Sequence, residues 1–195
     1  MRVAVIGAGS WGTTVARLTC VNAPTVLWAR SAEVARDVNA THRNSRYLPQ
    51  FRLPSELRAT DDLEEAVRDA DVVVMGVPVK GFRETLAQVA RHGRPWIPIV
   101  SLSKGLEPGT MLRMSEVAEQ VLPGHPVGVL TGPNLAREIL DGKAAASGLG
   151  MSDLLFQKIV GTPIPVRQLP RIEIPLLADI PIIGEIFFQQ RAVVY

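Results

Sequence analysis

Residues 3–12 read VAVIGAGSWG, and the segment TTVARLTCV continues from them to position 21. The β-branched, apolar opening predicts a buried strand, which stops at Gly7-x-Gly9-x-x-Gly12 before apolar positions recur at helical spacing. A strand that feeds a helix through a glycine turn leaves the first helical amides free and lets an anionic diphosphate approach the backbone closely. Taken alone the G-x-G-x-x-G pattern is common. Its weight here comes from a second apolar run, TVLWA at 25–29, placed at the distance that a β-α-β unit requires.

The same alternation continues outward. A helix over 10–21 ends before Pro24, a strand occupies 25–29 with Arg30 at its end, and Ser31 is placed to cap a helix over 33–40. The polar, proline-punctuated stretch 41–54 reads as a loop. Beyond it, 58–60 reads as a short strand, 61–68 as a helix capped by Asp61 or Asp62, and 71–77 as a buried parallel strand that Pro78 ends. Helical spacing over 81–90, a strand within 95–103, a helix over 110–121, a strand over 127–130 and a helix over 135–140 complete the pattern. The economical architecture is α/β: a doubly wound, Rossmann-type parallel sheet whose ligand site lies at the C-terminal ends of its strands. Gly7 to Gly12, Arg30, Pro78, Lys104 and Gly132 to Asn134 all fall at such ends, so a single crevice accommodates them.

Composition bounds the function. The chain has 195 residues, 47% of them hydrophobic, enough for a sizeable core and one domain with an appendage. Its 21 basic and 19 acidic residues are scattered without a run of one sign, which argues against a nucleic-acid partner. The single cysteine, Cys20, lies in an apolar helical stretch and reads as packing. Glycines interrupt the apolar N-terminal stretch and Arg2 is its only basic residue, so no signal peptide is read and a cytoplasmic location is expected. His42, His92 and His125 lack metal-ligand spacing and are expected to be exposed; no metal site is expected. Met75, Met111 and Met114 read as core filler.

Arg30 carries a specificity reading of its own. A carboxylate after the second strand suits a free ribose 2′-hydroxyl and an arginine suits a 2′-phosphate, so Arg30 tilts the cofactor from NAD towards NADP. The alternative is a solvated arginine at a strand end.

Several ordered motifs carry a resemblance. They are GAGSWGTTVA, Trp28-x-Arg30, Asn39, Asn44, Tyr47-Leu48-Pro49, Val77-Pro78, the run from Ser103-Lys104-Gly105 to Gly109, and Gly132-Pro133-Asn134-x-Ala136-x-Glu138. Together, from residue 1 to about 146, the chain resembles the N-terminal domain of bacterial NAD(P)-dependent glycerol-3-phosphate dehydrogenase. The resemblance implies reduction of dihydroxyacetone phosphate to sn-glycerol 3-phosphate, a phospholipid precursor, with NADP or NAD as cofactor and a small phosphate ester as substrate. It places Gly7, Gly9, Ser10, Trp11 and Gly12 along the pyrophosphate and nicotinamide side. Arg30 and Tyr47 fall at the adenosine end, with Pro78 and Ala136 also lining the cofactor. Lys104 would meet both cofactor and substrate and act in catalysis, and Gly132 and Asn134 would contact substrate. Trp11 reads equally as core, Asn134 as a helix cap and Lys104 as a surface lysine before a helix.

After 146 the chain departs from that pattern, which continues with a strand, a helix and a helical domain bearing a Lys-Asn pair. Lys80, Lys104, Lys143 and Lys158 are followed by Gly81, Gly105, Ala144 and Ile159. A truncated domain over 1–147 is therefore expected, followed by an irregular, hydrophobic, Pro-rich tail over 148–195 that cannot form one long helix and offers no membrane span. Residues 172–195 resemble, less securely, a segment of sugar- or nucleoside-type ABC transporter permeases; the alternative is a divergent tail over the sheet edge, and either predicts self-association. Three functions follow: a dehydrogenase present as its cofactor-binding half, a nucleotide-binding module without turnover, and a membrane-associated protein acting through its tail.

Overall fold

In the computed structural model the residues described are 1–132, 135–143 and 148–151. Seven strands and six helices alternate along them. The order is β1 (Val3–Ile6), α1 (Ser10–Cys20), β2 (Thr25–Trp28), α2 (Ala32–Thr41), β3 (Arg58–Thr60), α3 (Leu63–Val67) and β4 (Val72–Met75). There follow α4 (Val79–His92), β5 (Ile99–Ser101), α5 (Met114–Val121), β6 (Val127–Thr131), α6 (Ala136–Leu140) and β7 (Gly148–Met151). The strands form one sheet in the order β3-β2-β1-β4-β5-β6-β7. From β3 to β6 every pairing is parallel, with Val5 of β1 level with Leu27 on one side and Val74 on the other.

Strand β1 has no polar face because both of its faces are covered. Val3 and Val5 join a core with Val15, Leu27, Val34 and Val38 beneath α1 and α2. Ala4 and Ile6 point the other way, into a second core with Met75, Phe82, Leu86, Val89 and Val117 beneath α3, α4 and α5. Four successive residues are buried for this reason, and an unbroken apolar run results where a half-exposed strand would alternate.

Three expectations are corrected. Gly148–Met151 is a strand of the sheet and lies beyond the boundary expected at 147, where no further strand was anticipated. It also runs antiparallel to β6, with Leu130 opposite Leu149. Glycine-rich GLGM lacks the apolar run that marked the other strands, and its pairing is decided by the edge that β6 offers. The helix expected over 110–121 starts at Met114, because 105–113 closes into a loop of its own. Met111 lies in that loop, 66% exposed, and is not core filler; Met75 and Met114 are buried. Asp62 caps α3, its carboxylate accepting from the amides of Glu64 and Glu65, whereas Ser31 takes the capping position of α2 without a side-chain bond. The tail reading, including the permease likeness and self-association, lies outside the described residues. Among those residues no helix is long and apolar enough to cross a membrane.

Candidate functional site

The sheet order reverses direction between β1 and β4: β2 and β3 lie to one side, β5 and β6 to the other. The loops leaving β1 and β4 therefore diverge, and a crevice opens above their C-terminal ends. Its volume is about 620 Å³. Gly7, Gly9, Trp11 and Gly12 form its floor, Arg30 and Ser31 come from the end of β2, and Gly76, Val77 and Pro78 come from the end of β4. Leu102 and Ser103 close it from β5, and Arg46 and Tyr47 from the loop after α2.

The three glycines do different things. Gly7 turns the chain at φ +116°, and a Cβ there would stand 2.6 Å from the carbonyl oxygen of Gly76. A Cβ on Gly12 would overlap the carbonyl oxygen of Gly7, so the helix packs on the strand only without a side chain at this point. Gly9 has nothing within 4 Å of the Cβ position. It occupies the N-cap of α1 in extended conformation, and no side chain caps the helix there. The wall beside it is an open backbone surface at a helix N-terminus, the arrangement that suits an anion.

One loop is bolted to this floor. The Asn44 side chain, wholly buried, donates from Nδ2 to the carbonyl of Ala8 at 2.9 Å and to the Thr13 hydroxyl at 2.8 Å. The Asp37 carboxylate accepts the amide of Ser45 at 2.8 Å, and that contact, first among its causes, holds the Asp37 pKa below its ordinary value. Arg46 and Tyr47 are thereby fixed at the crevice, with the Arg46 guanidinium 5.4 Å from the Tyr47 ring centroid. Among the described residues three cationic ones line the crevice, Arg30, Arg46 and Lys80, and no carboxylate residue does.

Of the residues anticipated from sequence, the structure gathers Gly7, Gly9, Trp11, Gly12, Arg30, Tyr47 and Pro78 into the crevice wall. Trp11 is half-buried, lining the crevice and packing against the core as well. Ser10 stands just behind the wall, its hydroxyl donating to the Tyr47 carbonyl at 3.4 Å. Lys104 follows Ser103 at the mouth and donates from Nζ to the carbonyl of Gly132 at 2.6 Å, so these two residues meet. Ala136 opens α6 and is not in the wall; Asn134 lies outside the described residues. Arg46, Lys80 and Thr85 were not anticipated; only the neighbouring Tyr47 marked the place of Arg46 in the sequence.

Residues set aside as non-functional are located too. Cys20 is buried, and desolvation pushes its thiol up to about 11, leaving it inert. His92 is exposed as expected, but His42 and His125 are half-buried, each with an Nδ1 buried and lacking a hydrogen bond. His125 stacks on Trp96 at 5.7 Å, contact that its sequence neighbours do not reveal. Among the described residues no group of three His, Cys, Asp or Glu could hold a metal.

Known proteins are similar to this chain in sequence and fold. A family model described as NAD-dependent glycerol-3-phosphate dehydrogenase N-terminus matches residues 2–156, further than the resemblance read to about 146. A Mycobacterium avium protein named glycerol-3-phosphate dehydrogenase (NAD(P)+) is 58% identical over 153 residues, covering 78% of this chain and 45% of the relative. A Corynebacterium jeikeium protein of the same name is 46% identical over 170 residues, covering 84% of this chain and 51% of its own. Among solved structures, glycerol-3-phosphate dehydrogenase from Coxiella burnetii superposes with a TM-score of 0.75 at 29% identity, covering 82% of this chain and 49% of that one. The chain thus spans about half the length of the relatives it matches. None of these matches carries the permease likeness. Through the match over 2–156, the chain belongs to the family of NAD-dependent glycerol-3-phosphate dehydrogenase N-termini.

Proposed function

We propose that the chain binds NAD(P) in this crevice and is the cofactor-binding half of a glycerol-3-phosphate dehydrogenase acting on dihydroxyacetone phosphate. The observation that carries the reading is the open backbone at Gly9, flanked by two glycines whose missing side chains let β1, α1 and β4 meet. That cradle fits a dinucleotide. Gly9 and the first amides of α1 would hold the pyrophosphate, and Trp11 and Pro78 would flank the cofactor. Arg30, with Tyr47, would hold the adenosine ribose, and its guanidinium suits a 2′-phosphate. The bound dinucleotide supplies redox equivalents at its nicotinamide ring.

Lys104 would hold a substrate phosphate or balance negative charge developing on a substrate oxygen. On this reading Gly132, whose carbonyl accepts from the Lys104 ammonium, and Asn134 would contact substrate. The unit that binds the cofactor runs, on this reading, from residue 1 through β7, past the boundary at 147. A second reading is a nucleotide-binding module without turnover.

Titrating the chain with NADPH and NADH by tryptophan fluorescence, then adding dihydroxyacetone phosphate and following nicotinamide absorbance, tests both. Binding with oxidation supports the dehydrogenase; binding alone supports the module; no binding refutes both. Arg30→Asp is expected to weaken NADPH relative to NADH on the order of tenfold or more, the scale of one charge-assisted hydrogen bond. An unchanged ratio removes Arg30 from cofactor choice.

A further inference from the structure

Lys104 is followed by a closed loop. Gly105 and Gly109 take φ of 119° and 90°, Met111 takes 57°, and Leu106 bridges back to Arg113. Glu107 is its hub: the amide donates to the Leu112 carbonyl at 2.8 Å and its own carbonyl accepts from the Met111 amide at 2.9 Å. The Glu107 carboxylate then reaches out of the loop to Arg83 on α4. Nε donates to Oε1 at 2.7 Å and Nη2 to Oε2 at 2.8 Å, while the Thr110 hydroxyl also donates to Oε2. Nη2 of Arg83 is shared with the Gln120 side chain of α5 at 2.8 Å.

The residue before Lys104 is anchored to the same unit, for the Ser103 hydroxyl donates to the carbonyl of Val77, in the crevice wall just before α4. Lys104 is thus suspended between two fastenings to the β4–α4 segment, and its ammonium spans to Gly132 at the end of β6.

We propose that Arg83 and Glu107 are positioning residues for Lys104: their two-pronged pair holds the 105–113 loop against α4 and so keeps the ammonium at the crevice mouth. The proposal rests on the reading of this crevice as the cofactor and substrate site. A planar fork matched to a carboxylate fixes direction as well as distance, which a single-point lysine pair does not. The half-buried pair joins one loop to one helix outside both hydrophobic cores, so the main expected consequence is where Lys104 sits and not whether the chain folds.

The test is trace acylation of the full chain with acetic anhydride, read lysine by lysine by mass spectrometry. In Glu107→Gln and Arg83→Gln, labelling of Lys104 is expected to rise about fivefold as its bond to Gly132 is lost, with Lys80 and Lys143 unchanged. Glu116→Gln, which breaks the neighbouring Arg113–Glu116 pair instead, is expected to leave Lys104 as in the wild type. Arg83→Lys keeps the charge without the fork and should fall between. Unchanged Lys104 labelling in the folded variants overturns the proposal, as does an equal rise in Glu116→Gln. Should the glutamine variants unfold, seen as a uniform rise at every lysine, Arg83→Lys decides: wild-type labelling at Lys104 there overturns it. NADPH titration of the wild type is run alongside. Its failure would refute the cofactor reading without touching the labelling result.

Discussion

Gly9 and Gly12 stand three residues apart and fail in opposite ways when substituted. At Gly12 a methyl group would meet the Gly7 carbonyl, with Val5 Cγ1 at 3.9 Å behind it, so Gly12→Ala must push α1 off β1. Overpacking of this kind costs roughly 1–3 kcal/mol, and Tm is expected to fall with dinucleotide binding lost. At Gly9, φ is −71° and the Cβ position is empty, so Gly9→Ala is expected to keep the wild-type Tm within a degree or two of error while weakening NADPH on the order of tenfold. Thermal unfolding and fluorescence titration of the two variants separate the roles. Equal Tm losses would show that Gly9 is as structural as Gly12. The pattern G-x-G-x-x-G named all three glycines, but which one borders open space and which ones are packed depends on tertiary contacts, such as that of Gly7 with Gly76.

At the scale of elements, the loop between α2 and β3 behaves as a built part of the site. Leu48, Leu53 and Leu57 are buried at 1%, 3% and 1% exposure, and Asn44 ties the segment to both the glycine turn and α1. Asn39 does the same for β3, donating to the Ala59 carbonyl at 2.7 Å and accepting its amide at 2.9 Å. Asn44→Ala leaves the Ala8 carbonyl and Thr13 hydroxyl buried without that partner, at a cost of about 1–3 kcal/mol. The expected outcome is a lower Tm together with faster amide exchange at Ser45 and Tyr47, measured by hydrogen exchange. Exchange that stays at wild-type rates would mean Asp37 alone holds the loop. From the sequence this stretch reads only as polar and proline-punctuated, because its apolar residues have no period and its anchors lie on α1 and α2.

Across the whole molecule, two paired carboxylates contribute acid sensitivity: Glu107 joins the 105–113 loop to α4, and Glu116 closes the first turn of α5 onto Arg113. Arg83, then Thr110, lowers Glu107 from 4.5 to about 2, and Arg113 lowers Glu116 from 4.5 to about 2. Since both values are depressed in the folded state, their contribution is present above about 4.5 and is lost as pH falls towards 2. Tm is therefore expected to decline over that window, and less steeply in Glu107→Gln. Parallel Tm–pH curves for the variant and the wild type would show that the Arg83 pair carries no acid-linked stability.

Sequence by itself determined the α/β alternation and the place of the crevice, because both are written in local period and in glycine and proline stops: VAVI and VVVM are apolar on both faces, Gly7 follows the end of β1, and Pro78 caps α4. It also placed Arg30 at a strand end, which the structure turns into a crevice wall. Only tertiary structure decided what depends on distant segments meeting. The antiparallel GLGM strand is specified by the edge of β6 and not by its own composition. Arg46 reaches the crevice because Asn44 is fastened to Thr13, Lys104 meets Gly132 across 28 residues, and Arg83 meets Glu107 across 24. Such contacts have no period to detect, since each joins a side chain on one element to a loop folded onto another.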